Sequence, residues 1–355
     1  MRPTESAEKS RDFKGTPLPP RKDWITRIPG AAIIEEYMSP LRIAVVGAGV
    51  FGRNHLRVIH QSKRASLSGV FDTSSTRASE AAAIHGCREF HSLDELAQNS
   101  DGAIVASPTV THAKIGSRLM ELGLDVLVEK PIAHSLQAAR DLVEVAARTE
   151  KILGVGHLER FNPAVIALGE VVTKPLFFEI HRLSEFSPRS LDVDVVLDLM
   201  IHDIDIVLAL THETPEEIRA AGISILTPKV DIANVRLQFP GGCVANLTAS
   251  RVSTERVRKL RLFQPHEYIS LDYTRKDAMR FHVQPPMAIQ FAPLPVTKDE
   301  PLRLELEQFF ESMISRQPPR VTGSQAVAAL ETAFAILDKI ELHSRRVARA
   351  VEGGV

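Results

Sequence analysis

The sequence predicts an α/β protein in two parts: an N-terminal doubly wound parallel sheet, and a C-terminal α+β part with an open, largely antiparallel sheet. Between residues 41 and 155, short apolar runs alternate with amphipathic stretches of helical length, a pattern that predicts parallel strands joined by helices. In residues 232–250, apolar and polar residues alternate on both sides of a Pro-Gly-Gly turn. That alternation predicts an antiparallel hairpin with one buried face.

The elements of the two parts follow from where these patterns start and stop. In the first part the predicted strands span 43–46, 66–71, 102–106, 126–128 and 152–155, and the predicted helices span 93–98, 113–122 and 136–148. In the second part we expect hairpin strands within 232–239 and 245–250, further strands around Leu260, Ile269 and Phe281, and closing helices near 302–315 and 323–343. We therefore predict domains at 41–155 and 156–355.

Composition narrows the class of protein. The chain has 355 residues, of which 44% are hydrophobic, and a formal net charge of -1 that gives no electrostatic footprint for nucleic acid. Its two cysteines, Cys87 and Cys243, argue against a disulfide framework. No apolar run approaches the roughly 20 residues that cross a bilayer, so we expect a cytoplasmic protein. Residues 1–38, rich in proline and charge, are expected to form a disordered extension.

A glycine-rich turn follows the first predicted strand and opens a helix. The six residues that begin at position 47 read GxGxxG, in which the first glycine permits a tight turn and the second lets the backbone approach a pyrophosphate. The third glycine allows close packing of the helix on the strand. The alternative is an ordinary glycine turn, but the strand-turn-helix context favours a dinucleotide site. We assign to it Gly47, Gly49, Val50, Phe51 and Gly52.

Asp72 ends the second predicted strand, 20 residues after Gly52. A carboxylate at that place accepts hydrogen bonds from the adenosine ribose and repels a 2′-phosphate, so it favours NAD over NADP. Arg77 is close enough in sequence to complicate this preference. The alternative is a surface aspartate without a ligand.

Glu129, Lys130 and Pro131 come directly after the predicted strand at 126–128. Ligands of open α/β sheets bind beyond the carboxyl ends of strands, so Lys130 is placed to face a nicotinamide. An ammonium group there hydrogen-bonds a substrate hydroxyl and stabilises the negative charge that develops on its oxygen. The alternative is a lysine at a strand end that meets only solvent.

Asp198, His202 and Asp205 recur at i, i+4 and i+7, which places them on one face of a helix. A shielded histidine held by a carboxylate is a proton acceptor that works near neutral pH. Two alternatives stay open: a helical face of salt bridges with a satisfied histidine, and a metal site of two carboxylates and one imidazole. Because hydride transfer needs no metal, we predict none.

A polar segment lies at the junction of the two predicted domains. Its side chains His157, Glu159, Arg160 and Asn162 are candidates for binding the substrate. Arg160, together with Arg189, could grip a phosphate or carboxylate through charge-assisted hydrogen bonds. The alternative is a polar linker with solvated charges.

These motifs, with Ala106-Ser107-Pro108 and His112, resemble the Gfo/Idh/MocA family of NAD(P)-dependent oxidoreductases in their order along residues 41–342. The resemblance implies that the first domain is a Rossmann domain and that the substrate is a sugar or sugar derivative. It implies a cofactor site that includes Ser107, Pro108, His112, Glu129 and Lys130.

The resemblance also implies a catalytic pair, Lys130 and His202, with His202 oriented by Asp198, and often a cis bond before Pro131. It implies an open-faced sheet used in oligomer contacts, and hence a homo-oligomer, a dimer or a tetramer. The glycine-rich segment that usually precedes the family's catalytic helix is replaced at 191–195 by Leu-Asp-Val-Asp-Val.

The segments at 156–163 and 198–205 resemble those of the UDP-N-acetylglucosamine 3-dehydrogenase subgroup. Such enzymes oxidise the sugar C3 hydroxyl to a ketone, which an aminotransferase converts to an amine for lipid A-type glycolipids. Three alternatives stay open: an inositol or free-sugar dehydrogenase, an NAD-assisted glycosidase or lyase, and a non-catalytic protein that senses NAD.

Overall fold

The protein is described here by a computed structural model that covers residues 39–186, 193–284 and 288–352. The extension predicted at 1–38 and the candidate Arg189 therefore lie outside the described residues. Two sheets organise the described part of the chain.

The first sheet is parallel, as the alternation of strands and helices predicts. Its six strands are β1 (Leu41–Val46), β2 (Ala65–Phe71), β3 (Arg88–Glu89), β4 (Gly102–Val105), β5 (Asp125–Glu129) and β6 (Leu153–Gly156). They lie in the order β3-β2-β1-β4-β5-β6. The strand order reverses between β1 and β4, and this is where a parallel sheet opens a crevice for ligands at its carboxyl edge.

Five helices connect these strands: α1 (Val50–Gln61), α2 (Ser75–His85), α3 (Leu93–Gln98), α4 (Thr109–Glu121) and α5 (Leu136–Thr149). Ser74, Ser92 and Ser135 cap α2, α3 and α5, each accepting a hydrogen bond from a backbone N–H of the first turn. The sequence pattern did not reveal α2, because its buried residues are only alanines.

The second sheet has eight strands: β7 (Phe177–Leu183), β8 (Glu217–Ile223), β9 (Ile232–Gln238), β10 (Val244–Ser250), β11 (Val257–Gln264), β12 (Glu267–Asp272), β13 (Asp277–Gln284) and β14 (Ala288–Pro293). They lie in the order β14-β13-β12-β11-β7-β10-β9-β8, antiparallel except for the pair β7 and β10. The predicted hairpin is confirmed as β9 and β10, with Leu237 opposite Ala245 and Val235 opposite Leu247.

The remaining helices join the two sheets. They are a 3-10 helix (Leu158–Phe161), α6 (Pro163–Val171), a π-helical turn (Val196–Met200), α7 (Ile201–Thr211), α8 (Pro301–Ser315) and α9 (Gly323–Glu352). Helix α8 follows the second sheet in sequence but packs against the first: Leu306, Phe309 and Phe310 lie in one apolar cluster with Ile43 and Val45 of β1. The domain boundary at 155/156 stays a prediction.

Within the described residues, no helix is both long enough and apolar enough to cross a membrane.

We predict that Phe309→Ala lowers the free energy of unfolding by about 3–5 kcal/mol, because it empties a fully buried site between α8 and β6. Urea denaturation measures this change. The matched control is Ile84→Ala on α2, where the side chain is 68% exposed, and a change within about 0.5 kcal/mol is expected. Equal effects of the two substitutions would contradict the packing described for α8.

Candidate active site

The glycine turn between β1 and α1 has the geometry of a phosphate cradle. Gly47 has φ +104°, and a Cβ there would lie 2.5 Å from the carbonyl oxygen of Ala106. A Cβ on Gly52 would overlap the carbonyl oxygen of Gly47, whereas a Cβ on Gly49 would meet nothing within 4 Å. Two glycines are therefore required by packing, while the space above Gly49 is open.

Helix α1 begins at this open space without a side-chain cap at Gly49. The first-turn residues Val50 and Phe51 are 62% and 58% exposed. Uncapped backbone N–H groups and the positive end of the helix dipole suit an anion such as a pyrophosphate. The residues of the turn thus fit the phosphate groups of a dinucleotide.

Asp72 closes the same turn from β2. Its carboxylate accepts hydrogen bonds from the Ala48 and Ser74 backbone N–H groups and from Arg77, each at 2.8 Å. Burial alone would raise the pKa of Asp72, but the hydrogen bonds from Arg77, Ser74 and Ala48 lower it below its ordinary value. Since a carboxylate offers about four lone-pair sites, one remains for a ribose hydroxyl.

Ser107 and Pro108 lie in the loop between β4 and α4, and Ser107 Oγ is 2.7 Å from Thr111 Oγ1. His112 is buried beneath this loop. Its ring nitrogens lie 2.7 Å from the carbonyl oxygen of Ser107 and 2.9 Å from that of Pro131. His112 therefore ties the loop after β4 to the segment after β5, which carries Lys130.

Lys130 projects from the carboxyl end of β5 into the crevice, and the implied cis bond before Pro131 is confirmed. Its Nζ donates a hydrogen bond to the Asp198 backbone carbonyl at 2.7 Å and lies 3.5 Å from the Asp198 carboxylate. The side chain of Lys130 is 15% exposed. Lys130 is thus an anchored ammonium group that still reaches the crevice, and not a solvated lysine at a strand end.

The expectation that a carboxylate holds His202 is wrong. Residues 196–200 form a π-helical turn, in which the Ile201 N–H donates to Val196 O, and this extra residue displaces the i, i+4, i+7 face. Within the described residues, no hydrogen bond joins His202 to Asp198, and Nδ1 of His202 is buried without a partner. Asp198 contacts Lys130 and Asp205 contacts Arg160.

The surroundings of His202 keep its imidazole neutral. Burial, and then the charges of Lys130, Arg182, His157 and Arg258, lower the pKa of His202 well below its ordinary value. A neutral imidazole beside an ammonium group is a proton acceptor across the physiological pH range.

Two of the candidates at the domain junction are buried among protein groups. The Arg160 guanidinium lies 3.4 Å from Asp205 and 3.3 Å from the Arg320 carbonyl oxygen. Asn162 caps α6 and donates to Glu159 and to the Tyr273 carbonyl. Through these contacts, Arg160 and Asn162 connect neighbouring helices, strands and loops. The geometry therefore argues against the substrate contacts predicted for them.

His157 and Glu159 lie nearer to the crevice. The ring centroid of His157 is 6.3 Å from that of His202, and its Nδ1 is 4.0 Å from Asp205. Burial lowers the pKa of His157. Glu159 binds Arg182 at 2.9 Å, so it belongs to a charged cluster that the sequence reading did not find.

That cluster centres on Arg182 of β7. Arg182 donates two hydrogen bonds to Asp203, both at 2.7 Å, and its guanidinium lies 4.8 Å from the centroid of the Tyr273 ring. Asp203 and Glu159 hold the pKa of Arg182 well above its ordinary value despite burial. The only sequence signal was a charged residue on the otherwise apolar face of β7.

A second buried cluster lies behind Lys130. His55 of α1 is fully buried, and its Nε2 is 2.7 Å from Glu129 Oε1. Burial alone would raise the pKa of Glu129, but His55 and Lys130 lower it. Glu305 of α8 is buried with both carboxylate oxygens unpartnered among the described residues. Burial and the charge of Glu129 raise the pKa of Glu305 well above its ordinary value.

Two further predictions concern metals and the segment before the π-helical turn. The described residues contain no group of three His, Cys, Asp or Glu side chains that could hold a metal ion. Two residues of the unusual segment at 191–195, Leu191 and Asp192, lie outside the described residues, as does Arg189.

Comparison with known proteins places this site in a family. Residues 41–157 match the profile of an oxidoreductase family with an NAD-binding Rossmann fold, and residues 167–264 match a GFO/IDH/MocA C-terminal domain. The chain is 34% identical over 307 residues to a UDP-N-acetylglucosamine 3-dehydrogenase of Acidithiobacillus ferrooxidans, which covers 84% of this chain and 98% of that protein. The chain belongs to the Gfo/Idh/MocA family.

Solved structures of this family agree with the fold. The Acidithiobacillus enzyme superposes with a TM-score of 0.82 at 33% identity, covering 86% of this chain and 99% of that chain. An inositol 2-dehydrogenase of Rhizobium meliloti is 27% identical over 231 residues, 60% of this chain and 70% of that protein. The protein is thus an oxidoreductase that acts on a CH–OH group and has a domain for a nicotinamide cofactor.

We predict that Glu305→Gln removes a pH-dependent loss of stability. Because the pKa of Glu305 is raised in the folded state, the unfolded chain ionises first as pH rises above about 4.5. The free energy of unfolding therefore falls with rising pH up to the folded-state pKa, by at most about 1.4 kcal/mol per pH unit. In Glu305→Gln this contribution is absent. The free energy of unfolding of the variant therefore rises relative to that of the parent protein as pH increases.

Urea denaturation at pH 5, 6, 7 and 8 measures this difference. Glu144→Gln, on the exposed face of α5, serves as the control and leaves the slope unchanged. A constant difference between Glu305→Gln and the parent over this range would show that Glu305 is ionised in the fold.

Proposed function

We propose that this protein is an NAD-dependent dehydrogenase that oxidises the C3 hydroxyl of UDP-N-acetylglucosamine to a ketone. The observation that carries the proposal is Lys130, which follows β5 and is anchored on the backbone of Asp198, four residues before the buried His202 at the start of α7. The similarity to the Acidithiobacillus enzyme, over almost the whole length of that protein, supports the substrate.

The site residues divide the work of oxidising an alcohol. Lys130 donates a hydrogen bond to the hydroxyl oxygen and stabilises the negative charge that develops there. His202 takes the hydroxyl proton, because its lowered pKa keeps the imidazole unprotonated. Asp198 positions Lys130 through its backbone carbonyl. A nicotinamide held by the glycine turn and Asp72 would supply the acceptor for the hydride of the carbinol carbon.

The turn at Gly49 would hold the cofactor's pyrophosphate and Asp72 its adenosine ribose. Asp72 supports NAD over NADP because its lowered pKa keeps a negative charge at the place of a 2′-phosphate. Arg77 is paired with this carboxylate and is thereby held away from a second role as a phosphate ligand.

A ketone product next to an acetamido group is a substrate for amination. We therefore place an aminotransferase after this enzyme, in the cytoplasm, as for the lipid A-type glycolipids expected above. The exposed row of aromatic side chains on the second sheet, which includes Phe263 and Phe291, supports a homo-oligomer.

Absorbance at 340 nm tests the reaction, with purified protein, NAD and UDP-N-acetylglucosamine, and with an aminotransferase and amine donor to remove the ketone. NADH formed only with the nucleotide sugar supports the proposal. NADH formed instead with inositol or a free sugar would overturn the substrate. NAD binding without net NADH from any alcohol would favour an internal redox cycle of a glycosidase or lyase, or a sensor.

Lys130→Ala is expected to lower kcat by about 10²–10⁴-fold, because the hydroxyl oxygen loses its hydrogen-bond donor. The dissociation constant for NADH, measured by fluorescence titration, changes little. Lys114→Ala, on α4, is the control with unchanged kcat. Normal turnover by Lys130→Ala would remove Lys130 from the chemistry.

His202→Ala is expected to lower kcat by a similar factor, about 10²-fold or more. Because the pKa of His202 lies well below its ordinary value, we expect no inflection from this group between pH 6.5 and 8 in the parent enzyme's profile of kcat/KM. An inflection near pH 6.5 that disappears in His202→Ala would contradict the neutral imidazole.

Asp72→Asn is expected to shift the cofactor preference toward NADP by about tenfold or more in the ratio of kcat/KM values. The substitution removes the negative charge and releases Arg77 to meet a 2′-phosphate. Steady-state kinetics with both cofactors measures the ratio. In Asp72→Asn/Arg77→Ala the gain for NADP should be smaller; an equal gain would show that Arg77 contributes nothing.

A further inference from the structure

Arg258 is a positively charged residue that lies beside a second positive charge on the same sheet face. It lies on β11 directly opposite Arg182 of β7, and it shares the inward face of β11 with the buried Leu260 and Leu262. Like charges directly opposite on neighbouring strands destabilise a sheet. Two arginines facing the same interior therefore require negative partners.

Within the described part of the chain, Arg182 binds negatively charged partners and Arg258 does not. Arg182 binds both oxygens of Asp203 and one oxygen of Glu159, and Asn162 binds the other oxygen of Glu159. No hydrogen bond or ion pair of the Arg258 side chain is formed with a described residue, and its Nε is buried without a partner. The nearby carboxylates are thus already engaged.

The charges around Arg258 leave it short of negative partners. Its positively charged neighbours are Arg182 and the exposed Arg256. Its negatively charged neighbours are Glu159 and Asp203. Burial, followed by the two arginines, lowers the pKa of Arg258, and the carboxylates compensate only in part. An anion that binds here would relieve this repulsion.

The position of Arg258 connects it with the reacting groups. Its charge is among those that lower the pKa of His202, so the guanidinium lies near the proposed base. The backbone carbonyl of Arg258 accepts a hydrogen bond from Tyr273, whose ring lies against Arg182. The side chain therefore lies on the same face of the second sheet as Arg182.

We propose that Arg258 binds an anionic phosphate or diphosphate group that the substrate carries on the sugar ring. A guanidinium presents a planar pair of N–H donors to phosphate oxygens, and a half-buried site screens this attraction less than water does. The inference rests on the proposed function for the identity of the sugar. It names Arg258 as the residue that selects a charged sugar over a neutral polyol.

Isothermal titration of the NADH-loaded protein with uridine diphosphate tests the subsite without requiring turnover. Arg258→Met keeps the side-chain length and removes the charge; we expect the dissociation constant for uridine diphosphate to rise about tenfold or more, while that for NADH is unchanged. Arg258→Lys is expected to recover part of the affinity. The matched control is Lys259→Met, at the next position on the outward face of β11, which keeps the parent affinity.

Inorganic pyrophosphate, used as a competitor, identifies the group that Arg258 binds. Competition with uridine diphosphate in the parent protein but not in Arg258→Met supports a phosphate subsite. Equal affinity of the parent and Arg258→Met for uridine diphosphate would overturn it, as would a lowered melting temperature of Arg258→Met with no change in affinity. If uridine diphosphate binds through Arg258 but no NADH forms from UDP-N-acetylglucosamine, the subsite stands and the proposed oxidation fails.

Discussion

The hydrogen bond between Lys130 and the backbone of Asp198 connects the two halves of the active site. Lys130 directly follows a strand of the parallel sheet, while Asp198 lies in the π-helical turn that precedes α7. Because the acceptor is a main-chain carbonyl, the contact depends on the path of the turn and not on the rotamer of a second side chain. The hydrogen bonds of a regular α-helix would place this carbonyl differently. The π-helical turn therefore sets the position of the acceptor that Lys130 binds.

Buried charges surround this contact in layers. His55 and Glu129 lie behind Lys130, and Arg182 lies on the side of the second sheet. Buried ion pairs contribute little net stability, since desolvation offsets their attraction. Their effect here is on protonation: burial, and then the positive charges of Lys130 and Arg182, lower the pKa of His202, while Asp198 holds Lys130 in place. This combination suits proton transfer from a hydroxyl group.

Local patterns in the sequence were sufficient for the parallel sheet, the hairpin of β9 and β10, the glycine turn and Lys130. Each depends on neighbours a few residues away, where periodicity and turn chemistry act. The prediction that Asp198, His202 and Asp205 share one helical face was wrong for a local reason that no sequence pattern shows. A π-helical turn adds one residue there. The clusters of Arg182 with Asp203, and of Glu129 with Glu305, join residues far apart in sequence, so only the fold could reveal them.

The packing of α8 has a consequence for synthesis of the chain on the ribosome. The first sheet and its connecting helices are complete in sequence at Gly156, yet one face of β1 is covered by residues that come about 150 positions later. Until α8 has left the exit tunnel, the part of that face that Leu306, Phe309 and Phe310 cover stays open to water. The first domain therefore cannot complete its apolar core until α8 has been synthesised.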